Sequence, residues 1–151
     1  MSLVIRAERG ATGFRAAGEA PLREIDLAAF RRVCFAAARE ARSRVRDLEV
    51  GLVASYRAVA IGGSAVLGHC TLPVVAFAPL PLDRGWPVRE FVEAPWWASN
   101  FAEAGFRPAG GEELGADIDH VDLRDLAETE LQQVRHWRPR TLGELMFNWW
   151  D

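Results

Sequence analysis

The run EVGLVASYRAVAIGGSAVLGHCTLPVVAFAPL, Glu49 to Leu80, decides the fold. It divides at Gly62-Gly63, a pair that accepts the positive φ angles of a tight hairpin turn. On either side the chain is apolar and rich in β-branched residues, which predicts adjacent strands. Stretches such as VVAFA leave no polar face, so the strands should be covered on both sides. Pro73 cannot donate to a ladder and marks a strand end or edge. Residues 64–70 can be read as a strand or as a short helical turn.

Working outward, LVIRAE and GFRAAGE flank residues 9–12, with Gly10 and Gly13 bracketing a turn, and predict an opening hairpin. After Pro21, Asp26 is a suitable N-cap for a long helix, because Leu27, Phe30, Cys34, Ala37, Ala41 and Val45 recur at three- and four-residue steps. That spacing carries the helix to about Arg46. Beyond the central run, Pro79, Pro81 and Pro87 with Asp83 and Gly85 predict a loop. Short helical pieces broken at Pro95 follow, with Trp97, Phe101 and Ala104 at helical spacing and Gly105 at the C′ position. Pro108 to Gly115 reads as another loop. Asp122 should cap a helix whose apolar face is Leu123, Leu126, Ala127, Leu131 and Val134 and which ends near His136.

The chain closes on WRPRTLGELMFNWWD, which holds three of its six tryptophans. Pro139 biases Arg138 away from the α region, and Thr141 with Glu144 makes a capping box, so a helix should begin at Leu142. Leu142, Leu145, Met146 and Trp149 then share one face, widened by Phe147 and Trp150. The fold class expected is α+β. A mainly antiparallel sheet of about four to five strands, from the opening hairpin and residues 48–82, is covered by the long N-terminal helix and a C-terminal helical hairpin in a single domain.

With 151 residues, half of them hydrophobic, the chain can bury a core without disulfides. Cys34 and Cys70 are too few for a disulfide framework or for zinc held by cysteine pairs, and both should be free thiols. No run reaches the ~20 apolar residues that span a bilayer, and Arg6, Glu8 and Arg9 stand where a signal peptide needs its apolar region. A cytoplasmic protein without membrane contact is expected.

All 18 cationic residues are Arg, which excludes chemistry that depends on a lysine amine, such as Walker-type phosphate binding or a Schiff base. The net charge of −3 is uneven, since residues 1–75 hold 11 Arg against 7 acids and residues 76–151 hold 7 Arg against 14 acids. Most of the acid excess lies in residues 110–130, where Glu112, Glu113, Asp117, Asp119, Asp122, Asp125, Glu128 and Glu130 face only Arg124. A charge run of this kind is either a solvated face or a surface for a basic partner. The Arg-rich helix has the footprint of phosphate contact, but the domain is acidic and the helix lacks aromatic or amide readers. Nucleic acid is therefore not the expected partner.

No catalytic set converges in the sequence. His69 and Cys70 are neighbours on a strand and point to opposite faces, so His69 cannot activate Cys70. IGGSAVLG has Val66 where the nucleophile-elbow pattern needs its second Gly. Gly62-Gly63 lacks the rest of a phosphate loop. DIDHVD, residues 117–122, carries carboxylates and an imidazole but fits neither a calcium loop nor a transition-metal spacing. Glu90 and Glu93 form a possible carboxylate pair with no second motif. No catalytic residue, metal or cofactor is assigned.

Adjacent residues of a helix diverge by about 100°, so at least one Trp of each doublet, Trp96-Trp97 and Trp149-Trp150, should be only partly buried. The function expected is a small intracellular non-enzymatic binding protein, antitoxin- or immunity-like in one concrete form. Its partner would be a protein with a basic surface or a second copy of the chain. Candidate contact residues are Trp96, Trp97, Asp117, Asp119, His120, Asp122, Trp149 and Trp150. The alternative is an enzyme or small-molecule binder whose pocket is walled by Trp96, Trp97 and Trp149, with His69 or His120 as its polar group.

Overall fold

The computed structural model describes residues 4–82, 87–88 and 90–150. Residues 83 and 85 of the expected proline-rich loop lie outside them. The central run forms strands β3 (Tyr56–Ile61), β4 (Ser64–His69) and β5 (Val74–Pro79) after the short β1 (Ile5–Arg6) and β2 (Arg46–Leu48). Gly62 and Gly63, at φ 57° and 84°, make the β3–β4 turn, setting Ile61 opposite Ser64. The five-stranded sheet runs β2-β3-β4-β5-β6, antiparallel except for the pairing of β5 with β6 (Arg107–Ala109). This α+β architecture is the one the sequence implies.

Alternation along the strands gives each sheet face its own core. On one face Val59, Ile61, Val66, Val75 and Phe77 pack against helix α1 (Leu27–Glu40) and the segment of Trp97 to Phe106, which includes α2 (Ser99–Glu103). Asp26 caps α1 by accepting the Ala29 N–H at 3.1 Å. Phe30 lies so close to the sheet that a methyl at Gly68 would sit 2.6 Å from its ring. On the other face Ala58, Leu67 and Ala76 pack against the N-terminal loop, α3 (Gly111–Leu114), α5 (Leu142–Met146) and the chain's end.

Four expectations about elements need correction. The opening hairpin does not form. Instead, β1 pairs in parallel with β7 (Val121–Asp122) in a separate two-stranded sheet, and the N–H groups of Gly10 and Thr12 bond to the side chain of Glu130 rather than to a ladder. Helix α1 stops at Glu40, because Arg42 enters the left-handed region at φ 52° and the Ser43 N–H bonds back to the Ala38 carbonyl. The apolar spacing runs on to Val45 without a helix, and the chain becomes the edge strand β2. Pro108 is likewise not in a loop. It lies in β6, an edge strand that tolerates a residue without an N–H.

The fourth correction concerns the C-terminal helices. Helix α4 (Glu128–Trp137) starts six residues beyond Asp122, which belongs to β7 and caps a turn by accepting the Arg124 N–H at 3.0 Å. Arg138, at φ 50°, ends α4, and Thr141 and Glu144 start α5 as expected, with the Glu144 N–H donating to Thr141 Oγ1 at 3.2 Å. Yet α5 spans only five residues. Residues 147–150 leave the helix because the Asn148 carbonyl accepts the Ser55 N–H at 2.8 Å and the Asn148 N–H donates to Ser55 Oγ at 2.9 Å, so Trp149 is not on a helix face.

Candidate functional site

A catalytic group would be sought among the buried polar residues. Glu130 is fully buried and accepts four donors: Gly10 N–H at 3.0 Å, Thr12 N–H at 3.1 Å, Thr12 Oγ1–H at 2.6 Å and Ala127 N–H at 3.2 Å. His69 is also sealed. Its Nε2 faces the Ala11 carbonyl at 2.9 Å, which can only accept, so Nε2 carries the proton. Its Nδ1 then accepts the N–H groups of Thr71 and Leu72, each at 3.2 Å. Burial holds the imidazole down at about 4, and a second proton on Nδ1 would confront those two donors. Asn148 donates its amide hydrogens to Thr12 O and Leu145 O and accepts the Trp150 N–H. Ser55 Oγ donates to Met146 O at 2.6 Å. Among the described residues, no buried side-chain nitrogen or oxygen lacks a partner.

The network fixes the N-terminal loop and the chain's end to the sheet, and each of these buried side chains is engaged in hydrogen bonds. Both cysteines are free thiols. Cys34 is buried and its thiol is raised to about 12 by burial, and burial also raises that of Cys70. Glu93 caps the Gly111 N–H at 2.9 Å. Among the described residues, no three His, Cys, Asp or Glu side chains are grouped to hold a metal ion.

The acidic run is largely neutralised from within. Arg107 binds Glu113 through two bonds, at 2.8 and 3.0 Å, and Arg135 meets Glu128 at 2.8 Å. Asp122 is bridged by Arg124 at 2.8 Å and Arg6 at 3.5 Å, and Arg6 also reaches Asp125 at 3.6 Å. The Arg124 N–H and guanidinium hold the Asp122 carboxyl below its ordinary range. Among the described residues, Glu112, Asp117 and Asp119 have no ion pair. Asp117 caps the Asp119 N–H at 2.9 Å, so a short turn exposes Asp117, Asp119 and His120.

The tryptophan doublets lie on opposite faces of the sheet. Trp97 is buried edge-on against Phe77, in the core shared with α1, whereas Trp96 is 78% exposed. Trp96 borders Arg39 and Arg42 at the end of α1. Trp150 is buried in the other core, stacked at 2° on Trp137, and Trp149 is half-buried and edge-on to Trp137. A pocket walled by Trp96, Trp97 and Trp149 is therefore not formed, and neither His69 nor His120 supplies it. The acidic turn and the tail do come together, because Asp117 bridges to Thr141 and the Ile118 N–H bonds to the Arg140 carbonyl at 2.9 Å. Beside that junction is a small cavity of about 140 Å³, lined by Trp137, Pro139, Glu144, Phe147, Trp149 and Trp150 among others.

Trp137 and Glu144 are the residues that sequence reasoning missed as cavity walls. Glu144 was legible only as half of a capping box, and nothing local announces that the tail turns out of its helix after Met146. Comparison with known proteins found no matching family, no similar curated protein and no similar solved structure. Among the described residues, no helix is long and apolar enough to cross a membrane.

Proposed function

We propose that this chain is a non-enzymatic binding protein that presents the acidic turn at residues 117–120 and the adjoining tryptophan tail to a protein with a basic surface. An antitoxin- or immunity-like protein would use such a face to mask a basic toxin. The observation that carries this reading is the bridge from Asp117 to Thr141, which joins the exposed acidic turn to the segment that leads into the tryptophan tail. Charge without an internal partner steers a basic protein, and Trp at the margin of a desolvated patch anchors it. The engagement of the buried imidazole and carboxylate in fixed hydrogen bonds favours binding over catalysis.

A second reading has its own observation. Arg32, Arg39, Arg42, Arg44 and Arg46 form no ion pair among the described residues, and Trp96 stands exposed beside Arg39 and Arg42. That face would suit an anionic partner. Three baits separate the readings: the natural chain, Glu112→Gln/Asp117→Asn/Asp119→Asn, and Arg39→Gln/Arg42→Gln/Trp96→Ala. The acidic-face reading expects one basic protein retained by the first and third baits and lost from the second. Loss from the third alone, with circular dichroism unchanged, would transfer the function to the α1 face. Recovery of the chain itself would make the face a dimer contact.

A further inference from the structure

The small cavity beside the acidic turn has a composition that selects a ligand class. Three indoles, the Phe147 ring, Pro87 and Pro139 make its apolar walls, and Asn148 and Glu144 are its polar residues, Glu144 supplying the carboxylate. At about 140 Å³ it is well below the ~300–1,000 Å³ of sites for drug-sized molecules and well above the ~30 Å³ of a water. It has room for the head of one side chain. One oxygen of Glu144 accepts the Arg140 N–H at 2.8 Å, and the other has no hydrogen bond among the described residues. Indole faces attract cations through the ring quadrupole, Trp most strongly, and a carboxylate in a partly desolvated wall adds a direct charge.

We infer that this cavity receives an organic cation: the ammonium or guanidinium head of a basic residue carried by the protein partner. The inference rests on the acidic-face reading and names the side-chain class that face would admit. Position supports it, since Asp117 bridges to Thr141, one helical turn before Glu144. A basic segment crossing the acidic turn would therefore pass the cavity mouth. Arg138 and Arg140 are exposed on either side of Pro139 and oppose a cation, so the carboxylate is required and the apolar walls alone are not enough.

Choline and its uncharged isostere 3,3-dimethyl-1-butanol test the cavity in the full chain, read by tryptophan fluorescence and the indole N–H signals. Choline should saturate the Trp149 and Trp137 signals, with the neutral isostere weaker by about fivefold or more. A tripeptide bearing a central Arg or Lys should compete with choline. Glu144→Gln, which still accepts the Arg140 N–H and so keeps the cap, should weaken choline by roughly fivefold. Equal affinity of the two isosteres, no saturation with the fold intact, or failure of both tripeptides to compete would overturn the inference. Asp117→Asn/Asp119→Asn should leave choline binding unchanged while weakening the protein partner. A partner that ignores this substitution removes the acidic-face reading, and equal isosteres remove the cation site, so the two failures are distinct.

Discussion

The two faces of the sheet are covered by different means. Opposite α1 the contact is apolar: Phe30, Cys34, Ala37 and Ala38 meet Val59, Val66 and Phe77, and the helix satisfies its own backbone. The tail side is covered by α3 and α5 together with irregular chain, residues 7–14 and 147–150, which apart from the Ala7 N–H bond to Asp122 lies outside the ladders. Buried backbone groups must still be paired. All five buried polar residues among the described ones, Thr12, Ser55, His69, Glu130 and Asn148, lie on this side and supply those bonds. A helix arrives with its hydrogen bonds made, whereas a loop used as a lid must import them. Polar groups that resemble an active site are then the fastening of the lid.

The largest expected effect is the loss of that fastening. Glu130→Ala would orphan the N–H groups of Gly10 and Thr12 and the Thr12 hydroxyl, at ~1–3 kcal/mol for each buried unsatisfied group. A destabilisation of about 4 kcal/mol is expected in urea unfolding. A cost below ~1 kcal/mol would mean that the loop is not held by this carboxylate and that the two faces differ less than described.

A smaller effect sharpens the same contrast through pH. His69 has a folded value of about 4, below the ~6.5 of an unfolded chain, so between these values the unfolded state binds a proton that the folded state refuses. The stability contributed by neutral His69 is complete above about pH 6.5. It falls by about 1.4 kcal/mol per pH unit as the pH drops toward 4, or roughly 3 kcal/mol in all. His69→Gln can still donate to Ala11 and accept from Leu72, and it should flatten that window in a series of urea midpoints. A slope unchanged by the substitution would place the acid sensitivity elsewhere.

The contrast also explains what was legible in the sequence. The Gly62-Gly63 turn, the Asp26 cap and the apolar runs of β3 and β5 are local patterns, and each is present where the sequence puts it, whereas residues 64–70, open to strand or helical turn, form strand β4. The tail-side lid depends on bonds such as Gly10 to Glu130, 120 positions apart, for which periodicity holds no signal. Glu130 counted only as one acid in a run, and Asn148 as a polar gap between aromatics. The helix ends failed for a related reason: Arg42 and Arg138 adopt the left-handed conformation that sequence patterns expect of Gly or Asn. Of the candidate contacts, the acidic character of the turn at Asp117 and Asp119 was readable, and so was the division of each Trp doublet into one buried and one more exposed ring. Their grouping was not. The sheet separates Trp96 and Trp97 from Trp149 and Trp150, and the acidic turn reaches the tail through the Asp117 to Thr141 bridge and the bond from the Ile118 N–H to the Arg140 carbonyl, which no local pattern announces.

The most direct test of the acidic turn and tail as a binding face is a nuclear magnetic resonance titration of the chain with a short peptide alternating Arg and Gly, near physiological salt. The amides of residues 117–120 and the Trp149 indole should shift together along one saturating curve, while the amides of α1 stay in place. Shifts centred on α1, or scattered and unsaturated over the whole surface, would contradict the account.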